Sequence, residues 1–243
     1  MTDAAVAFAA VLFAGHMTGD FVLQTNWMVR HKTRPAGLFA HVGVVALAHA
    51  VFLLPFASAS AAVALGAIVV AHILIDVAKT AGIASAPRFA RTWFWLDQAA
   101  HGAVLAAAVW LLGPSIRFLD AVALDPHFVT RVGVLVGVYA FNVRGVSALV
   151  EFELARLGIA LSDQGPAAGR TIGVLERVFA ITLILLDRWE ALGFLVAAKS
   201  LARFKDLDDR TRAEYYLVGT LVSLLAATVS VLAARAVLSH VGA

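Results

Sequence analysis

Long apolar runs recur from one end of this 243-residue chain to the other, and they limit its fold class before any motif is read. A helix needs about 20 mainly apolar residues to span a bilayer. Stretches of that length or somewhat shorter fall at roughly 4–24, 37–56, 58–79, 95–113, 129–150, 172–186, 191–203 and 214–238. Apolar residues make up 61% of the chain and charged ones 14%, where a soluble domain carries about 45–50% and about 25%. Inside a bilayer every backbone polar group must be satisfied within the protein, which leaves helices or closed barrels. The expected fold is all-α: a single polytopic transmembrane helical bundle of seven or eight segments, with six as the alternative. Its first half, 1–113, bears the His and Asp residues, and a C-terminal helical half covers 129–243. Segments 172–186 and 191–203 are short and separated by Asp187-Arg188-Trp189-Glu190. They read either as two tilted helices joined by a tight turn or as a re-entrant pair.

Lys and Arg set the expected orientation, because cytoplasmic loops collect them. With the N-terminus outside, the inner loops and helix ends carry Arg30, Lys32, Arg34, Lys79, Arg88, Arg91, Arg156, Arg170, Arg203, Lys205, Arg210 and Arg212. The outer side keeps only Arg117, Arg131, Arg188 and Arg235. The same bias accounts for the formal charge of +3 without an anionic partner, and nothing else points to nucleic acid. The first apolar stretch lacks a basic leader and contains His16 and Asp20, so it reads as a mature helix rather than a signal peptide. The chain has no cysteine, which excludes disulfides and thiolate metal sites.

The polar residues inside these segments follow a pattern. His16 and Asp20, His72 and Asp76, and Asp97 and His101 are each four apart, on three different expected helices. Residues four apart share one helix face, where an imidazole and a carboxylate can ligate one metal or orient each other. Chain direction brings these pairs, and His41 early in the second helix, to one depth near the cytoplasmic face. Gln24, Lys79 and Gln98 fall at about the same depth. Intramembrane ionisable groups are costly and mark function. The bland reading is that each is a helix-end group in the headgroup layer. Short aspartates do not snorkel far, and three equal spacings at one depth weigh against it. His49 lies deeper and reads as a packing or hydrogen-bonding residue, while His31, His127 and His240 read as solvated surface.

A second polar group belongs to the later half. Gly169-Arg170-Thr171-Ile172-Gly173 opens a helix, with Glu176 and Arg177 one turn inside. Free N–H groups at such a start, with Arg170, suit a phosphate headgroup. Lys199, Ser200 and Arg203 end the next segment, and Glu214, Tyr215 and Tyr216 begin the last. The tyrosines read as interface anchors. Glu176 and Arg177 are too deep for that and are expected to pair with Lys199, Arg144 or Glu214 across helices. Gly219, Thr220 and Ser223 offer a small-residue packing face.

The run His16-Met17-Thr18-Gly19-Asp20-Phe21-Val22-Leu23-Gln24-Thr25, followed by Trp27-Met28 and Lys32, resembles the opening signature of a bacterial membrane family, DUF3307. His41, the stretch from His72 to Lys79 and Asp97-Gln98-Ala99-Ala100-His101 resemble the rest of that domain. Gly169-Arg170 through Arg177, Lys199-Ser200 and Ala213-Glu214-Tyr215-Tyr216-Leu217-Val218-Gly219-Thr220 resemble the C-terminal part of longer members. The resemblance implies a multi-pass protein of a bacterial inner membrane and implies no activity.

The residues themselves point to a metal-dependent membrane enzyme, a hydrolase or transferase for a lipid-linked or phosphate-bearing substrate. His16, Asp20, His41, His72, Asp76, Asp97 and His101 are the expected ligands of a divalent transition metal. Mixed imidazole and carboxylate donors suit zinc, manganese or iron, and the sequence leaves one ion or two open. Asp20, Asp76, Asp97 and Lys79 are the candidate catalytic groups. Gln24, Gln98, Arg170, Lys199 and Arg203 are the candidate substrate contacts. A metal-ion or proton transporter using the same residues is the alternative, although the outer halves of the first four helices are almost wholly apolar. A non-catalytic scaffold or a haem protein, with imidazoles as axial ligands, is the remaining reading. Walker, dinucleotide, nucleophile-elbow and His-Glu-x-x-His motifs are absent.

Overall fold

The computed structural model describes residues 2–119, 124–156, 167–202, 204, 208 and 210–241, and all regular structure among them is helical. Among the described residues ten α-helices follow in order: α1 Asp3–Met17, α2 Asn26–His31, α3 Pro35–Leu53, α4 Ala59–Ser85, α5 Ala90–Leu112, α6 Pro126–Ala140, α7 Val146–Arg156, α8 Ala167–Leu185, α9 Trp189–Ala202 and α10 Arg210–Val241. Among the described residues, six spans are long and apolar enough to cross a membrane: Asp3–Val22, Pro35–Phe56, Ala59–Ser85, Pro87–Ser115, Pro126–Ala155 and Ala213–His240. The chain is a polytopic transmembrane helical bundle. Helices α8 and α9 are not among these six, for reasons of charge and length. Helix α8 carries Arg170, Glu176 and Arg177, and α9 has only 14 residues.

Local chemistry fixes the helix ends. The hydroxyl of Thr2 accepts from Ala5 N at 3.3 Å, that of Thr25 from Met28 N at 3.3 Å, and that of Ser58 from Ala61 N at 3.2 Å. Each satisfies an N–H that the first turn leaves free. Pro35 occupies the first turn of α3 after an extended Arg34, where its missing N–H costs nothing. Helix α1 runs on through a π turn, Thr18–Val22, closed by Leu23 N to Thr18 O at 2.9 Å. Such turns often mark functional sites.

The chain forms two compact units, the first running to Gly137 and the second Val138–His240, with the boundary inside α6. In the first unit α1 packs on α3 and α5, α3 on α4, and α4 on α5, closing a ring of four helices. One end of the ring is filled by Phe8, Leu12, Phe56, Ala64, Ile68 and Ile116, with the Phe8 and Phe56 rings edge to face at 5.8 Å. The polar residues of α1, α3, α4 and α5 gather at the other end. Outward-facing Leu47, Leu74 and Trp110 are exposed, Trp110 by 78%, as expected where the surrounding solvent is lipid.

In the second unit α8 and α9 meet at a tight turn, one of the two arrangements expected. Asp187 holds φ 59°, Arg188 N donates to Leu183 O at 2.8 Å, and Asp187 N donates to Ile184 O at 3.1 Å. This is a Schellman ending with Asp in the left-handed position. Arg235 Nη1 at 3.0 Å and Trp189 Nε1 at 2.9 Å donate to Asp187 Oδ1. Those bonds, Arg235 first, hold its carboxyl below the usual range.

Candidate metal centre

Four helices of the first unit carry one buried polar cluster: His16 and Asp20 from α1 and its π turn, His41 and His49 from α3, His72 and Asp76 from α4, and Asp97 and His101 from α5. All seven expected ligands are buried and lie within it. Close helix approach makes this possible. A Cβ on Gly19 would stand 2.9 Å from Val45 Cα, so only glycine lets α1 lie this near α3 and bring Asp20 to His41. Small-residue spacing of this kind is how membrane helices come close.

His41 stands at the centre. Its Nε2 lies 3.1 Å from Asp20 Oδ1, 3.3 Å from Asp76 Oδ2 and 2.9 Å from His72 Nε2. His72 Nε2 is in turn 3.4 Å from Asp76 Oδ2 and 3.9 Å from Asp20 Oδ1. A ring nitrogen carries at most one proton, so His41 Nε2 cannot donate to both carboxylate oxygens and also pair with His72 Nε2. A cation held by Asp20 Oδ1, His41 Nε2 and His72 Nε2 would satisfy these three atoms together. The edge of a tetrahedron with metal–ligand bonds of about 2.0–2.1 Å is roughly 3.3 Å, in the middle of these separations. Asp20, His41 and His72, and also His72, Asp76 and His101, can each offer ligand atoms within 4.8 Å of one another.

The outer groups orient this set. Lys32 Nζ lies 2.7 Å from Asp76 Oδ1, the oxygen facing away from His41. Lys32 follows the short helix α2, which folds back against α3 because Gly37 leaves room; a Cβ there would collide with the carbonyl of His31. The Gln24 amide lies 3.1 Å from His41 Nδ1. Amide oxygen and nitrogen are indistinguishable by shape. With the oxygen turned inward, Nδ1–H donates to it and Nε2 presents its lone pair. His16 Nε2 approaches Asp20 Oδ2 at 3.8 Å.

Asp97 differs from the expected His–carboxylate pair. His101 Nδ1 donates to the Asp97 backbone carbonyl at 2.9 Å. The Asp97 carboxylate takes Lys79 Nζ at 2.7 Å and Gln98 Nε2 at 2.9 Å through Oδ2. A helix presents the carbonyl of residue i−4 directly beneath an imidazole, and here the backbone wins over the carboxylate.

The candidate substrate contacts divide. Gln24, Lys79 and Gln98 rim the cluster, partly buried. Arg170 and Lys199 belong to the second unit: Arg170 is 69% exposed and pairs with Glu151 at 3.8 Å, and Lys199 pairs with Glu176 as expected. Arg203 lies outside the described residues. Arg177 lies against a widened turn at Phe141–Gly145, which frees a carbonyl. It donates to Asn142 O at 2.6 Å, Ser147 Oγ at 2.6 Å and Ser223 Oγ at 3.1 Å. Sequence reasoning missed Lys32 as a partner of Asp76, while His49, read as a packing or hydrogen-bonding residue, is buried and donates Nδ1 to Val45 O at 3.0 Å. Lys32 lies beyond a turn whose path spacing cannot give.

Residues 8–123 match DUF3307, a family described as a protein of unknown function. This part of the chain is a DUF3307 domain. The match contains the whole buried cluster of the DUF3307 domain, from His16 to His101. No curated protein and no solved structure matches the chain.

Proposed function

We propose that the DUF3307 domain is a metal-dependent membrane hydrolase or transferase for a lipid-linked or phosphate-bearing substrate. The observation that carries this reading is the convergence of Asp20 Oδ1, His41 Nε2 and His72 Nε2, with Asp76 Oδ2 beside both imidazoles. Two imidazoles and one carboxylate are a ligand set that leaves a fourth position open for chemistry. A divalent zinc, manganese or iron ion held there supplies Lewis acidity and acidifies a water. Asp76 is the base: Lys32 occupies Oδ1, so Oδ2 is the oxygen free to take the proton. Lys79 and Gln98, partly exposed at the rim, meet negative charge on the substrate. The Lys and Arg bias supports an outer N-terminus and a metal centre toward the cytoplasm of a bacterial inner membrane.

A metal-ion or proton transporter on the same residues is the second reading. It draws on His49, which continues the buried polar set about two turns along α3 from His41.

The test is metal content of the detergent-purified chain beside a folded His72→Ala/Asp76→Ala variant, followed by phosphate release from phosphatidic acid and a polyprenyl diphosphate. Zinc, manganese or iron near one or two equivalents, lost in the variant, together with metal-dependent turnover, is the expected result. Metal without turnover, but with ion flux into proteoliposomes, would favour the transporter. No metal after reconstitution with all three ions would end both metal readings.

A further inference from the structure

We propose that the metal ion has a second, alternative position in these four helices, held by His72, Asp76 and His101, and that His72 serves both positions. The inference rests on the metal-centre reading above and deepens it, because it gives that centre a resting form.

All three residues are buried, His72 and Asp76 on α4 and His101 on α5. Each can offer a ligand atom within 4.8 Å of the others. Their remaining polar contacts leave ligand atoms free. His101 Nδ1 donates to Asp97 O at 2.9 Å, so its Nε2 bears the lone pair, the arrangement that backbone carbonyls impose on metal-binding histidines. Lys32 Nζ occupies Asp76 Oδ1 at 2.7 Å. His101 Nε2 and Asp76 Oδ2 are both without a hydrogen-bond partner among the described residues. Most buried polar atoms find one, and two bare acceptors in one group of potential ligands are what a cation satisfies.

The spacing also fits one ion. His72 Nε2 lies 3.4 Å from Asp76 Oδ2, close to the roughly 3.3 Å edge of a tetrahedral site. A ring centre stands about 3.2 Å from an ion bound to its nitrogen, so two imidazoles on one ion hold their centres roughly 4.5–5.2 Å apart for angles of about 90–110°. Those of His72 and His101 are 4.5 Å apart. The same Nε2 of His72 lies 2.9 Å from His41 Nε2 and 3.9 Å from Asp20 Oδ1, the other ligands of the first position. One ring nitrogen offers one lone pair and holds one ion, so the two positions are alternatives between which a single ion divides. With the ion on Asp20 and His41, Asp76 Oδ2 is free to take a proton. With the ion on Asp76 and His101, that oxygen is a ligand, the base is engaged and the centre rests.

The experiment is a cobalt(II) titration of the full chain in detergent, read by visible absorption, on wild type, Asp20→Asn/His41→Leu, the same pair with His101→Leu added, and His101→Leu alone. The expected result is about one equivalent in wild type, about one with a changed spectrum in Asp20→Asn/His41→Leu, and none once His101→Leu is added. Binding by wild type that is lost in Asp20→Asn/His41→Leu would remove the second position and leave the first. Binding that survives all three substitutions would overturn the ligand assignment. Two equivalents in wild type would refute a single shared ion. No binding by wild type would remove both positions. If Asp20→Asn/His41→Leu does not fold, His101→Leu alone decides. It is expected to bind about one equivalent with a spectrum that differs from wild type by loss of the second form, and an unchanged spectrum would contradict the proposal.

Discussion

The Nε2 atoms of His41 and His72 face each other 2.9 Å apart at the buried junction of α3 and α4, with carboxylate oxygens of Asp20 and Asp76 beside them. Two ring nitrogens at this distance need a shared proton or a shared ion. Replacing either histidine by Ala is expected to abolish binding of the ion held by Asp20, His41 and His72. Gln24→Leu, which removes only the group that orients His41, is expected to weaken binding about 10–100-fold. Competition with a chelator of known affinity measures both. Equal affinity in Gln24→Leu and wild type would mean that His41 needs no orienting partner.

Lys32 gives Asp76 its nearest positive charge, at 2.7 Å. Removing one partner of a buried ion pair costs about 3–5 kcal/mol, and the partial exposure of Lys32 puts Lys32→Met at or below the lower end. The metal-free variant should therefore melt below wild type, and added zinc should restore most of the loss by supplying the missing charge. A melting point of the variant that zinc does not move would show that Asp76 is remote from any bound ion.

Gly19 sets the approach of α1 to α3. Gly19→Leu is expected to cost about 1–3 kcal/mol through overpacking and to reduce metal content by drawing Asp20 away from His41. Gly66→Leu is the control, since a Cβ there meets open space. Thermal melts and metal analysis of the two variants, side by side, give the comparison; equal behaviour would refute the close-packing argument.

Arg177 holds together the second unit through Asn142 O, Ser147 and Ser223. Arg177→Met strands a buried carbonyl, at a cost of about 1–3 kcal/mol. Metal content should not change, because every proposed ligand belongs to the first unit. Loss of metal from a folded Arg177→Met protein would contradict that assignment.

Helical periodicity made much of the centre legible. The pairs His16 and Asp20, and His72 and Asp76, do share a helix face, and chain direction put His41 at their level. The same rule misled at Asp97, where spacing says that His101 is near and is silent on whether the backbone carbonyl or the carboxylate takes its proton. Lys79 and Gln98 were placed at the right depth, but their shared partner, Asp97 Oδ2, was not foreseen. The two short segments flagged in the sequence are the ones set apart from the six long apolar spans: α8 carries three charges and α9 has only 14 residues.

By itself, the sequence determined that this chain is a helical membrane bundle and which helix faces are polar. Both follow from the hydrocarbon thickness of a bilayer and the 3.6-residue helical repeat, which act on neighbours in the chain. Only the tertiary structure decided which imidazole meets which carboxylate. The contacts of His41 with Asp20, His72 and Asp76, and of Lys32 with Asp76, depend on how closely helices approach and where α2 turns back. Those are set by glycine-permitted packing between residues remote in sequence, which no local spacing encodes.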